Sequence, residues 1–288
     1  MNYMDDLEIP QVGLVRDLPE ATYHSDPCDG PSLSASIAKV ISGQSLAHAF
    51  LRHSKLGGTP MTPTAAMDKG SACHAMLLGK GAEIAVLDFD SWRAKASKEA
   101  RDLARENGDV PMLVKEYAGI ADAVEAIRIR LKSFGLTVGT DTEVSGFWQE
   151  GGAQCRMRMD ILEKGDSEIV ITDLKTAASA HPDEIQRSII KYGYDVQHAA
   201  YVSGCEHIFP EYAGRVRMQF LFVELERPHA VTPVVLSEGF AQLGRAKWDQ
   251  AVALWSEALQ TGEWPCYTTE PTIISPPVWA MHKQFEDE

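Results

Sequence analysis

The segment Glu168-Ile169-Val170-Ile171-Thr172-Asp173-Leu174-Lys175-Thr176 ends a short β-branched run on two opposite charges. Val, Ile and Thr are stiff at χ1 and fit a pleated surface, so residues 168–174 read as a buried strand. Side chains alternate along a strand, so Asp173 and Lys175 project from one side while Leu174 points the other way, into a core. A chain with such a strand needs a sheet with cover, and its charged end needs a partner. By itself the pair also fits a strand-end ion pair.

The preceding segment, Arg156-Met157-Arg158-Met159-Asp160-Ile161-Leu162, alternates in the same way. If it pairs antiparallel with the first strand, Asp160 lies beside Asp173 at the edge of the sheet. Two carboxylates and the Leu174 carbonyl are hard oxygen ligands, suited to Mg²⁺, with Mn²⁺ as a substitute, and not to zinc. Lys175 adds a cation that can position an attacking water or steady a charged transition state. Arg156 and Arg158 share the face of Asp160. They either touch phosphates or form ion pairs that hold the carboxylates.

The rest of the chain frames this centre. Residues 1–30 carry little apolar periodicity and form an N-terminal extension. Residues 31–263 read as one domain, mainly helical over 31–135 and carrying the sheet and its flanking helices over 136–263. Serine hydroxyls at 32–36 precede a helical run over 37–52. Further helices are expected at 65–78, closed by Gly79, at 91–106 and at 112–134. Glu143 to Trp148 alternates like a strand and meets Gly151-Gly152, a hairpin signal. Helices at 182–190 and 194–207, strands at 215–225 and 230–236, and a long helix at 238–261 complete the pattern. Residues 264–288 hold four prolines and read as an extended tail.

Composition limits the function classes. Apolar residues make up 44% and charged residues 24%, as in ordinary globular proteins. No apolar run is long enough to cross a bilayer, and the acidic start lacks the features of a secretory signal, so the expected location is the cytoplasm. Five cysteines occur without a CxxC pair, which disfavours a zinc ribbon or an iron–sulfur cluster. Cys73-His74 and the group His198, Cys205 and His207 leave a zinc site as a weaker alternative. No P-loop is present, so no nucleotide cofactor is expected. The net charge of −14 argues against a nucleic-acid partner. Metal-dependent nucleases soften that objection, because cations bound by the site's carboxylates face the phosphate.

The run Asp160…Asp173-Leu174-Lys175-Thr176 resembles the core of the PD-(D/E)XK nuclease superfamily. Four further segments resemble its RecE / exonuclease VIII branch of phages and prophages. They are Tyr23–Asp26 with Leu33–Ser36, Lys69–His74, Glu143–Trp148 leading into Arg156–Asp160, and Tyr192–Tyr201. The resemblance covers roughly residues 23 to 225, in the family's order. It implies an α/β fold with a restriction-endonuclease-like core, a central mixed sheet flanked by helices, behind a helical N-terminal half. It also implies a Mg²⁺-dependent exonuclease acting on the ends of double-stranded DNA, 5′ to 3′, and leaving 3′ strands for an annealing protein. A homo-oligomeric ring in a bacterial cytoplasm, host to a phage, belongs to the same expectation.

By resemblance, Asp160, Asp173 and the Leu174 carbonyl hold the metal, Lys175 is catalytic and His74 adds a ligand or orients a bound water. Gly70, one turn before His74, permits close approach. Gln197 and Tyr201, four apart on a helix face, would support the site or the DNA; an ordinary amphipathic helix is the plain alternative. Glu143 is either a third acidic ligand or a solvated strand-start residue. Ser36 and Arg52 are DNA-binding candidates. Lys39, His53 and Lys55, near Arg52, either recognise a DNA end or form a solvated face.

Overall fold

Both glycines of Gly151-Gly152 have positive φ, 56° and 82°, the conformation of a two-residue hairpin turn that other residues adopt only with strain. They turn the longest antiparallel pair of the structure back on itself. The computed structural model describes residues 8–59, 62–136, 138–139, 141–268 and 270–277. In chain order the elements begin with β1 (Gly13–Val15), α1 (Glu20–His24), β2 (Leu33–Ser34), α2 (Ala35–Gly43), α3 (Leu46–Arg52) and α4 (Ala65–Leu78). β3 (Ile84–Leu87), α5 (Lys95–Glu106), β4 (Val110–Leu113) and α6 (Val114–Ser133) follow. The second half holds β5 (Thr142–Glu150), β6 (Ala153–Lys164), β7 (Ile169–Ala177), α7 (Pro182–Tyr192), α8 (Tyr194–Ile208), β8 (Val216–Glu224), β9 (Val231–Val235) and α9 (Glu238–Thr261).

The main sheet runs β1-β5-β6-β7-β8-β9, and the short β2 pairs with β6. Contacts β7–β8 and β2–β6 are parallel; the others are antiparallel. This is the mixed sheet flanked by helices that the resemblance implies. One face is covered by α2, α8 and α9, whose apolar side chains join Trp148, Met157, Phe220 and Phe222. The other is covered by α4 and α6, where Ile120, Val124 and Ile127 pack with Leu174, Leu221 and Val223. Strand β7 divides its side chains as expected, with Ile169 and Ile171 in the first core and Leu174 in the second.

Local chemistry accounts for the helix boundaries. The Ser34, Ser45, Thr64 and Ser237 side chains each accept a backbone N–H in the first turn of α2, α3, α4 and α9. Gly79 and Gly262 close α4 and α9 in the left-handed conformation. The expected single run over 37–52 is two helices, because Ser45 caps a second one after the break at Gln44. The described part of the N-terminal extension is more ordered than its pattern implies. β1 adds an edge strand to β5, and Val15, Leu18, Tyr23 and Cys28 pack around Phe147. A second, two-stranded parallel sheet, β3–β4, lies outside the expectations. Among the described residues no helix is long and apolar enough to cross a membrane.

Candidate active site

Strands β6 and β7 pair from Lys164↔Ile169 to Ile161↔Thr172, and the ladder stops there. The next pair in register would be Asp160 with Asp173. β7 stays paired with β8 through Ala177, so β6 is the strand that leaves. A fork therefore opens where the two carboxylates stand. Asp160 fills it: its Oδ2 accepts the Leu174 N–H at 2.7 Å, in place of a ladder carbonyl. Both carboxylates are buried, Asp160 at 8% and Asp173 at 2% exposure.

On one side of the fork, His74, Glu143 and Asp160 each turn a ligand atom to a common point, all within 4.8 Å of one another. His74 comes from α4, with Nδ1 3.6 Å from Asp160 Oδ2. α4 lies close to β7 because Gly70 lacks a side chain; a Cβ there would stand 3.0 Å from Thr176 Oγ1. Glu143 is only partly exposed, and its carboxylate stands in this cluster with Asp160. Its backbone has φ 55°, a conformation costly for a non-glycine residue. That twist interrupts the β5–β6 ladder between Thr142↔Ile161 and Val144↔Met159, opposite Asp160. Arg158 pairs with the Glu143 carboxylate and donates to the Leu18 carbonyl at 2.9 Å, so it holds an acid, as one of its two expected roles requires.

On the other side, Asp173 faces cations and an amide. Its Oδ2 meets Lys175 Nζ at 2.5 Å, and its Oδ1 accepts Gln197 Nε2 at 2.5 Å. Asp173 lies outside the His74–Glu143–Asp160 cluster. Lys39 Nζ donates to Gln197 Oε1 at 3.2 Å. One turn along α8, Tyr201 donates to the Arg158 carbonyl at 2.7 Å, so the expected Gln197/Tyr201 pair braces both arms of the fork. The two sides line a pocket of about 330 Å³ that also includes Ser36, Lys80 and His24.

The electrostatics are lopsided. Burial, and next the charge of Asp173, push the Asp160 carboxyl well above its usual range. Burial, followed by Lys175, lowers the His74 imidazole. For Lys175, burial works against the ammonium, yet Asp173 and Asp160 outweigh it and its pKa is raised. Burial, with Lys175 next, pushes Lys39 down to about 7. The cluster thus joins a buried carboxyl whose ionisation is opposed to a second carboxylate and a neutral-leaning imidazole. That donor set, two carboxylates and one nitrogen, fits a divalent cation.

Two DNA-contact expectations change. Arg156 is 6% exposed, and its guanidinium binds Asp26 and the Ser32 carbonyl. It therefore fastens the N-terminal segment and is shut away from a phosphate. His53 is buried against the same Asp26 at 3.2 Å and so belongs to no solvated face, whereas Lys55 stays exposed and donates to the Cys28 carbonyl. Arg52 ends α3 away from the pocket lining, whereas Ser36 is exposed on its rim. Sequence reasoning left out Lys80 and left Lys39 between recognition of a DNA end and a solvated face. The docking of α2 on α8 brings Lys39 inward, and no local pattern encodes it.

No curated protein matches the chain. Among solved structures, it is similar to the crystal structure of a "Putative exonuclease" from Eubacterium rectale. The two share 14% identity with a TM-score of 0.60, over 94% of this chain and 99% of the other. A phage related exonuclease from Haemophilus somnus 129PT matches at 14% identity and a TM-score of 0.34, over 80% of this chain and 96% of that one. The first likeness concerns the fold. Residues 34–274, which span the whole fork and both its supporting helices, match the family described as a PDDEXK-like domain of unknown function (DUF3799), and the chain belongs to that family.

Proposed function

We propose that this chain is a divalent-metal-dependent nuclease that hydrolyses phosphodiester bonds from the ends of duplex DNA, 5′ to 3′, leaving 3′ single strands for recombination. The observation that carries the reading is the fork, with three metal-ligand side chains on one side and a carboxylate-held lysine on the other. Family membership supports it, as does the exonuclease description of the Eubacterium rectale structure.

In this reading His74, Glu143 and Asp160 hold the ion, with Asp173 and the Leu174 carbonyl as the further ligands that the resemblance implies. A bound Mg²⁺ or Mn²⁺ supplies Lewis-acid charge to the phosphoryl oxygen and acidifies a water. The protein's own groups do the rest. Asp173 orients the Lys175 ammonium, and Gln197 fixes Asp173 from behind. Lys175 then meets the charge that develops on the phosphate and aligns the attacking water. Arg158 keeps Glu143 in place, and Tyr201 keeps the Arg158 backbone in place. The overall charge of −14 does not bar DNA, because Lys39, Lys80, Lys175 and Arg158 line this pocket and the ion adds to them. A ring of subunits with a basic lumen, and an annealing partner for the product strand, extend the same proposal.

The test is digestion of linear duplex DNA, labelled at 5′ or 3′ ends, with Mg²⁺ or EDTA. Closed circular duplex serves as control and Lys175→Ala as comparison. The expected result is metal-dependent loss of linear DNA, release of the 5′ label first, intact circles and an inactive variant. Cleavage of circles would replace the exonuclease with an endonuclease. No cleavage of any substrate with Mg²⁺ or Mn²⁺ would leave a DNA-binding protein of the same fold.

A further inference from the structure

Lys39 stands apart from the other cations of the pocket. Its side chain reaches inward from α2, and Gly193, at the junction of α7 and α8, makes room for it. Gly193 has φ 63°, and a Cβ there would come within 3.0 Å of Lys39 Cγ. The ammonium ends 3.2 Å from Gln197 Oε1 and 5.1 Å from the centre of the Tyr194 ring. Lys175 approaches the same ring at 4.8 Å. The two lysines therefore converge on one aromatic side chain, which eases their mutual repulsion through its π-face.

Their partners differ. Lys175 has Asp173 at 2.5 Å. Among the described residues Lys39 forms no ion pair within 4.0 Å, and its nearest polar partner is a neutral amide. A largely buried ammonium without a counter-ion is costly to retain, and the charges that bear on it are Lys175, Asp173 and Asp195. It lines the pocket together with the fork, so an anion placed there would supply the missing partner. A metal at the carboxylate cluster and Lys175 would serve the reacting phosphoryl group. Lys39 lies beyond them, on the α2 side.

We infer that Lys39 is a second substrate-binding cation, which contacts a non-bridging oxygen of a phosphate adjacent to the one cleaved. This rests on the nuclease reading above, and it assigns Lys39 to binding where Lys175 is assigned to chemistry. The plain rival is that Lys39 only braces Gln197, and through it Asp173.

The experiment compares wild type, Lys39→Met and Lys39→Arg in steady-state cleavage of linear duplex DNA with Mg²⁺. It is run at about pH 6.5, on the acid side of the lowered Lys39 value of about 7, over a range of KCl concentrations. Loss of a phosphate contact removes about one unit from the slope of log(kcat/KM) against log[salt]. Lys39→Met should therefore show a slope shallower by about one unit and a KM raised about tenfold, with kcat much less affected. Lys39→Arg, which keeps the charge, should restore the slope. A fall in kcat with KM and slope unchanged would overturn the inference in favour of the bracing role. Wild-type kinetics in Lys39→Met would overturn it outright. Lys39→Gln, which can still bond Gln197, replaces the methionine variant if thermal melting shows that variant unfolded. Wild type that cleaves no DNA removes the nuclease reading itself, an outcome distinct from all of these.

Discussion

Two buried charge clusters share strand β6, one at Arg156 and one at Asp160, and they are resolved in opposite ways. The first is complete. Asp26 accepts Ser32 N and Ser32 Oγ, both at 2.8 Å, and Cys28 N at 3.3 Å, with His53 and Arg156 each at 3.2 Å. Burial acts to raise the Asp26 carboxyl, yet these donors outweigh it and bring its pKa down to about 2. The second cluster is incomplete. Asp160 receives one backbone N–H and faces Asp173 and Glu143, and its pKa rises. A satisfied buried carboxylate locks a fold, whereas one left with excess like charge is the group that the proposed cation would satisfy. The difference lies in the balance of partners, since burial is nearly equal at 2% and 8% exposure.

The comparison breaks most sharply under paired amide substitutions. Asp160→Asn should reduce nuclease activity on the order of 10³-fold while the metal-free protein melts no lower than wild type, because it loses a buried repulsion. Asp26→Asn should do the reverse. It should cost about 3–5 kcal/mol of stability in denaturant melts, as Arg156 and His53 are left without their carboxylate, and the folded fraction should keep its activity. Equal stability losses in both variants would erase the distinction.

A smaller effect appears in the pH dependence of stability without metal. Asp26 has a folded pKa below its ordinary 3.8. Its contribution, about 2 kcal/mol, is present above pH ~4 and lost as the pH falls toward about 2. Asp160 has a folded pKa above the ordinary value, so the folded state binds its proton more tightly. Its effect has the opposite sign: stability declines as the pH rises from the ordinary carboxylate range toward the raised folded value. Asp26→Asn should flatten the acid arm of the curve and Asp160→Asn the arm above it. Smallest of all, Tyr201→Phe removes one part-buried hydrogen bond from α8 to the β6 arm of the fork and should cost about 1 kcal/mol.

The shared face of Asp173 and Lys175 was legible because it is written in local alternation. A β-branched run ending Asp-Leu-Lys dictates which side chains share a face, and β7 obeys it. Gly70 and His74 are one turn apart on a helix whose ends, Thr64 and Gly79, are encoded by cap chemistry. What escaped depends on contacts between distant segments. Arg156 alternates in phase with Asp160 and reads as a site residue, but its partner Asp26 comes 130 residues earlier in the chain. Glu143 stands at a strand start in either reading, and only its left-handed backbone turns it to Asp160. Lys39 looks like any exposed helix lysine until α2 is set against α8. The β3–β4 pair escaped for another reason: four-residue strands carry too little periodicity to stand out.

The central claim is that His74, Glu143 and Asp160 form a divalent-metal site. Calorimetric titration of Mn²⁺ and Mg²⁺ into the apo-protein tests it without reference to activity, with Asp160→Asn and Asp26→Asn as the two comparisons. The account predicts saturable binding by wild type and by Asp26→Asn, and its loss in Asp160→Asn. Binding of equal strength in Asp160→Asn, or none in wild type, would contradict it.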